Sequence, residues 1–196
     1  MSRFRLGLTG SIGMGKSTTA ALFAAEGIPV WDADAAVHRL YAPGGMGVAP
    51  VATLCPSALR DAGIDRTALR DWIATAPTAL PRLEAVVHPL VAADRDAFAA
   101  QVSDGIVVFD IPLLFEKGTE ARMDATLLVT APAALQRQRV LSRPGMTEAQ
   151  FALMLSRQMP DAEKRARATH IVETLSIDQT RAYVQALIAY LRSAHA

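Results

Sequence analysis

The chain has 196 residues, 51% hydrophobic and 20% charged, with a formal net charge of +1; this suffices for one domain with elaborations and argues against a general nucleic-acid or membrane-surface binder. Its single cysteine, Cys55, excludes a disulfide framework and a cysteine-based metal site. No run approaches the length of a membrane span and no signal-length apolar segment precedes the first glycines, so a cytoplasmic protein is expected, as a monomer or weak homo-oligomer.

Phe4 to Thr9 is short, apolar and closed by Gly10, which predicts a buried strand. Lys16 to Glu26 carries good helix formers and stops at Gly27. Ile28 to Trp31 reads as a second strand, ended by Asp32-Ala33-Asp34 and expected to lie beside the first. Ala35 to Tyr41 follows as a helix that breaks at Pro43-Gly44-Gly45. The middle of the chain is mostly helical: Leu69, Trp72 and Ile73 fall at helical spacing, as do Leu80, Leu83 and Val87. Pro89 is expected to open a further helix, with His88 as its cap. Ile106 to Asp110 and Thr126 to Thr130 are buried strands, the latter followed by a helix opening at Pro132. Arg143-Pro144-Gly145 interrupts that helix. Thr147 with Gln150 forms a capping box for the next, which Pro160 ends. His170 to Val172 is a last short strand. Ser176 with Gln179 caps a final helix whose Val184, Leu187, Ile188 and Leu191 share one face.

Strands alternating with helices predict an α/β fold with a parallel sheet flanked by helices. The expected organisation is a core from residues 1–35, 105–142 and 168–196, a helical substrate-binding region over 36–104, and a helical lid over 143–167.

Gly10-Ser11-Ile12-Gly13-Met14-Gly15-Lys16-Ser17 fits the phosphate-loop pattern G-x-x-x-x-G-K-[ST], and it stands between a predicted strand and a predicted helix, as the pattern requires. Glycines let successive N–H groups converge on one anion, and the following helix adds its positive end. Lys16 supplies a mobile charge for the β and γ phosphates, and the Ser17 hydroxyl can ligate Mg²⁺. Residues 10–18, through Thr18, are therefore the expected ATP site. Asparagine is absent from the whole chain, so the guanine-reading N-K-x-D motif of GTPases cannot occur. A kinase needs a base on the acceptor side and cations that close over the phosphates. Asp32 and Asp34, at a strand end, supply the first: one carboxylate to take a proton, the other to hold a metal-bound water or shape the turn. Residues Arg137 to Arg167 are strongly basic and supply the second, with Arg143 beside a Pro-Gly hinge first and Arg157 second. His38, one turn beyond Asp34, orients that carboxylate or touches an anionic substrate, or is a surface residue.

Together, LTGSIGMGKST, VWDAD with His38, Pro43-Gly44-Gly45, His88-Pro89 and Phe109-Asp110-Ile111-Pro112-Leu113-Leu114-Phe115-Glu116 closely resemble the dephospho-CoA kinase family, in order and spacing over nearly the whole chain. The resemblance implies a P-loop kinase core and transfer of the ATP γ-phosphoryl group, with Mg²⁺, to the ribose 3′-hydroxyl of dephospho-CoA. Asp34 aligns with the presumed general base, assisted by Lys16 and Arg143. Thr9, Asp34, His38, His88 and Asp110 fall on the substrate side. Another small-molecule kinase, or a P-loop ATPase or sensor module, is the alternative. Ser11 stands where the family usually has a second glycine. Thr169 and Thr174 stand where the family tends to have aspartate and asparagine, so no adenine contact is carried over to that segment.

Overall fold

A computed structural model describes residues 3–194; the outermost two residues at each end of the expected core lie outside the described residues. The chain divides into two compact units, residues 3–31 with 102–194 and residues 32–101.

The first unit is built on a sheet of order β2-β5-β1-β6-β7. Its strands are β1 (Phe4–Thr9), β2 (Val30–Asp32), β5 (Ile106–Asp110), β6 (Ala125–Thr130) and β7 (His170–Glu173). The β5–β1, β1–β6 and β6–β7 ladders are all parallel. Helices α1 (Lys16–Ala25), α6 (Ala133–Leu141), α7 (Glu148–Ser156), α8 (Asp161–Arg167) and α9 (Ile177–Ala194) complete the unit. The expected pairing of the first two strands is wrong: β5 lies between them. Burial explains the order. All five residues of β5 are buried, whereas in β2 only Trp31 is. The strand with apolar residues on both faces takes the interior slot, and the shorter, half-exposed one takes the edge. Trp31 then packs on Phe109, with ring centroids 6.1 Å apart. The main core joins Leu6, Leu8, Phe23, Val108, Leu127 and Val129 to the buried face of α9 formed by Val184, Leu187, Ile188 and Leu191, the residues picked out by their spacing.

The second unit holds α2 (Ala33–Tyr41), α3 (Val48–Leu54), a hairpin of β3 (Leu59–Arg60) and β4 (Gly63–Ile64), α4 (Arg66–Thr75) and α5 (Ala79–Ala100). Leu40, Val51, Leu69, Leu83 and Val87 form its core. Arg39 of α2 pairs with Asp94 of α5 at 2.6 Å. The hairpin was not foreseen. Its turn residues Asp61 and Ala62 both have positive φ, 48° and 60°, as a tight primed turn demands, but neither is the glycine that usually signals one.

The helix expected to open at Pro89 does not exist. α5 runs through Pro89, and His88 is an interior helical residue 3.9 Å from Glu84 one turn back. Pro89 removes the bond to the carbonyl of Ala85, yet both residues lie on the exposed side, where that oxygen is open to solvent. Leu83 and Val87 on the other side keep the helix docked.

Candidate active site

β1 ends at Thr9, and α1 begins at Lys16 with Gly15 as its cap residue. Gly13 and Gly15 have φ of 78° and 92°, a left-handed backbone that other residues rarely adopt. A Cβ on Gly13 would also come within 2.4 Å of Val140. Within the loop only Met14 N–H turns back, donating to Ser11 O at 3.1 Å; the first helical bond is Thr19 N–H to Gly15 O at 3.0 Å. The N–H groups of Gly13, Gly15, Lys16, Ser17 and Thr18 find no acceptor among the described residues. Five donors at a helix start make an anion cradle.

Three side chains support the loop from outside. Gln136 of α6, 6% exposed, donates to Ile12 O at 2.8 Å. Thr174, 5% exposed, donates its hydroxyl to Met14 O at 2.7 Å. Gln158 Oε1 accepts from Ile12 N–H at 3.1 Å. Arg139 spans Thr174, with Nη1 on its hydroxyl at 2.9 Å and Nη2 on its carbonyl at 2.6 Å. Beside the loop is a cavity of about 330 Å³ lined by Gly13, Gly15, Thr18, Arg139, Arg143 and Thr174, among others.

Asp110 is 2% exposed and sits at the C-terminal end of β5, in register with Leu8. That register puts its carboxylate on Lys16 Nζ in a salt bridge. Thr9 is fully buried and donates its hydroxyl to Pro112 O at 3.2 Å, tying the end of β1 to the segment after β5. Asp32 and Asp34 differ in what they do. Asp32 caps α2 by accepting from Ala35 N–H at 2.8 Å, so it shapes the turn. The side chain of Asp34, exposed in the first turn of α2, bonds to no described residue, and His38 is likewise exposed. Asp34, His38 and His88 belong to the second unit; the phosphate loop, Asp110 and the basic segment belong to the first.

The basic residues between Arg137 and Arg167 separate by partner. Arg137 pairs with Glu148, Arg165 with Asp161 at 2.7 Å, and Arg167 with Glu120 while stacking over Phe115. Lys164 has no exposed side-chain surface and lies 2.9 Å from Glu116 Oε1, which also accepts from Met159 N–H at 2.9 Å. Burial works to raise the Glu116 carboxyl, but the bonds from Lys164, Met159 N–H and its own N–H outweigh it and hold the group below the usual range. Arg143 and Arg157 are exposed and have no ion pair among the described residues. Arg143 also lines the cavity.

The sequence reading missed the supports of the loop. Gln136 and Thr174 carry no motif that announces a hydrogen bond to a distant carbonyl, and Lys164 read as one more lid cation. Thr169 and Thr174, the departures from the family pattern, are both engaged. Thr169 exchanges bonds with Thr126, N–H to hydroxyl in both directions at 3.0 and 3.1 Å, and Thr174 holds the loop.

A parallel sheet with this cradle after its central strand defines a P-loop kinase core. The family model described as dephospho-CoA kinase matches residues 4–179. A dephospho-CoA kinase of Cereibacter sphaeroides is 73% identical over 192 residues, 98% of each chain. A Thermus thermophilus crystal structure is 36% identical with a TM-score of 0.86, covering 97% of this chain and 99% of that one. A dephospho-CoA kinase from Campylobacter jejuni, 20% identical, shares the fold at a TM-score of 0.68 over 96% of this chain and 97% of its own. The chain belongs to the dephospho-CoA kinase family and is a kinase. Among the described residues no helix is long and apolar enough to cross a membrane.

Proposed function

We propose that the chain transfers the γ-phosphoryl group of ATP to the ribose 3′-hydroxyl of dephospho-CoA, giving coenzyme A and ADP. The observation that carries this reading is the cradle of unsatisfied amides around Lys16 in a chain 73% identical to a dephospho-CoA kinase. In this reading the amides of Gly13 and of residues 15–18 hold the β and γ phosphates. Lys16 exchanges its bond to Asp110 for a phosphate oxygen, and Asp110 keeps the charge of the site balanced. Asp34 accepts the proton of the attacking hydroxyl; no described cation competes for it. Arg143 and Arg157, the lid-segment arginines without ion pairs, neutralise the charge that spreads over the equatorial oxygens. His38 and His88 serve the acceptor side, and Thr9 acts by holding the segment after Asp110.

Mg²⁺ fits the residues present. The Ser17 hydroxyl is exposed and bonds to no described residue, and no group of three or more His, Cys, Asp or Glu that could hold a metal occurs among the described residues. Mg²⁺ suits such a site because it takes few protein ligands and fills its shell with water and phosphate oxygens. When bound with the nucleotide it supplies charge neutralisation at the transferring phosphate, with Ser17 as its protein ligand.

Incubation with Mg·ATP and dephospho-CoA, followed by mass spectrometry, tests the assignment. The expected product is heavier by one phosphate and carries it at the 3′ position. ADP release without any acceptor, or a product with a different alcohol alone, overturns it.

A further inference from the structure

In a trans peptide the carbonyl of one residue and the N–H of the next belong to one rigid plane and point in opposite directions. Ile12 C=O and Gly13 N–H share such a plane, and so do Met14 C=O and Gly15 N–H. Each carbonyl is held on the outside of the loop by a buried side-chain donor from elsewhere in the chain. Gln136 Nε2 donates to Ile12 O at 2.8 Å, and Thr174 Oγ1 donates to Met14 O at 2.7 Å. A carbonyl held outward turns the following N–H inward. The two amides so aimed belong to Gly13 and Gly15, whose φ values of 78° and 92° leave those planes free to flip because no Cβ resists the alternatives. Gly13 and Gly15 N–H are also among the five without an acceptor.

We infer that Gln136 and Thr174 are positioning residues that lock two peptide planes of the phosphate loop so that the Gly13 and Gly15 amides face the β-phosphate before it arrives. The two residues are placed to act independently. Gln136 comes from α6 and Thr174 from the turn after β7. Thr174 is itself oriented. Its Oγ1 accepts from Arg139 Nη1 at 2.9 Å and lies 2.7 Å from Met14 O and 3.3 Å from Thr130 O, so the nearer Met14 carbonyl takes its proton. Arg139 keeps a second bond to the Thr174 carbonyl at 2.6 Å, so removing the hydroxyl alone leaves Arg139 anchored. Preorganised amides strengthen binding because the cost of ordering them is met on folding rather than on ligation.

The inference rests on the loop being the phosphate site, and the experiment separates the two. Equilibrium binding of ADP and AMP is measured for the parent, Thr174→Val, Thr174→Ser and Gln136→Met, with thermal melting to establish that each is folded. The parent is expected to bind ADP much more tightly than AMP; equal affinities would end the phosphate-loop reading itself. Thr174→Val and Gln136→Met are each expected to lose about tenfold in ADP affinity with AMP changed by less than twofold. Thr174→Ser, which keeps the donor, is expected to recover ADP affinity to within twofold. The inference fails if the folded Val and Met variants bind ADP within twofold of the parent. It fails equally if they lose ADP and AMP alike, or if Ser loses as much as Val. A readout on the unmutated chain survives any folding failure: the Gly13 and Gly15 amide protons should move downfield when ADP is added but not when AMP is. No such movement overturns the inference.

Discussion

Replacing Lys164 by methionine keeps an unbranched side chain, one heavy atom shorter, and removes the charge and its donors. The structure fixes what this costs. Lys164 is fully enclosed, and Glu116 Oε2 is buried without a hydrogen bond, so Glu116 would retain one negative charge held by little more than Met159 N–H. Orphaning one member of a buried pair costs about 3–5 kcal/mol. The carboxyl can escape by taking a proton, which caps the cost. Starting from an ordinary glutamate near 4.3, protonation costs about 4 kcal/mol at pH 7 and about 1 kcal/mol at pH 5. Lys164→Met should therefore lose about 3–4 kcal/mol at pH 7, or ~6–16 °C in Tm for a chain of this size, and far less at pH 5. The sign follows from linkage. In the parent the Glu116 carboxyl is held low, so its contribution is full above the unfolded value and is lost as pH falls through the folded one. In the variant it is raised, so stability recovers as pH falls. Urea or thermal unfolding of the parent, Lys164→Met and Lys164→Met/Glu116→Leu at pH 5 and pH 7 measures this. The double variant should regain most of the loss at pH 7. A penalty that is the same at both pH values, or a double variant worse than the single, refutes the reasoning.

Lys16→Ala should abolish detectable phosphoryl transfer in a coupled ADP-release assay; unchanged turnover would remove the loop from the site. Asp34→Asn should keep ADP binding within about twofold while turnover falls by about 10²–10⁴, the range for a general base. Near-parent turnover would take Asp34 out of that role. Arg143→Ala and Arg157→Ala should each lower kcat by at least about tenfold, whereas Arg137→Ala, which breaks only an exposed pair with Glu148, should leave it within about twofold; equal losses at 137 and 143 would show that the ion pairs do not sort the cations. Burial beside Tyr190 pushes the His170 imidazole below its ordinary value. Its contribution is full above about 6.5 and fades as pH falls through the depressed value, so His170→Phe should flatten stability between about pH 6.5 and 5, as read by chemical denaturation.

What could be read from the chain was what local spacing and local chemistry decide. The phosphate loop declared itself because its glycines, lysine and hydroxyl must be contiguous to build one cradle. The Thr147–Gln150 capping box and the apolar face of α9 were legible for the same reason, and both stand as read. Strand order was not legible, because it depends on comparing the burial of strands some eighty residues apart. Pro89 misled because a proline inside a helix is tolerated only when the carbonyl it deprives faces water, a property of packing rather than of the sequence around it. The hairpin at Asp61-Ala62 was missed because a polar and a small residue, rather than a glycine, carry its positive φ values.

The cations between Arg137 and Arg167 are not equivalent in the fold. As a string, residues 137–167 look uniformly basic, and any of them could meet a phosphate. In the fold, Lys164 and Arg167 engage Glu116 and Glu120 of the segment after β5, and Arg165 bonds Asp161 of its own helix and Thr130 of β6. α8 is thereby fastened to the sheet, and the bond from Ile12 N–H to Gln158 Oε1 fastens the residue that follows Arg157 to the phosphate loop. At the other end, Gln136 fastens α6 to the carbonyl of the same residue, Ile12. The stretch between these anchors turns through Pro144-Gly145, where Met146 N–H bonds Arg143 O and Gly145 has φ of 76°, and carries Arg143 and Arg157 near its two ends. In the proposed function, a substrate phosphate at the cradle would meet guanidinium groups whose charge is not already neutralised by a carboxylate among the described residues. Paired cations would have to give up an existing partner to serve the same purpose, and so would gain less from the charge that develops in the transition state.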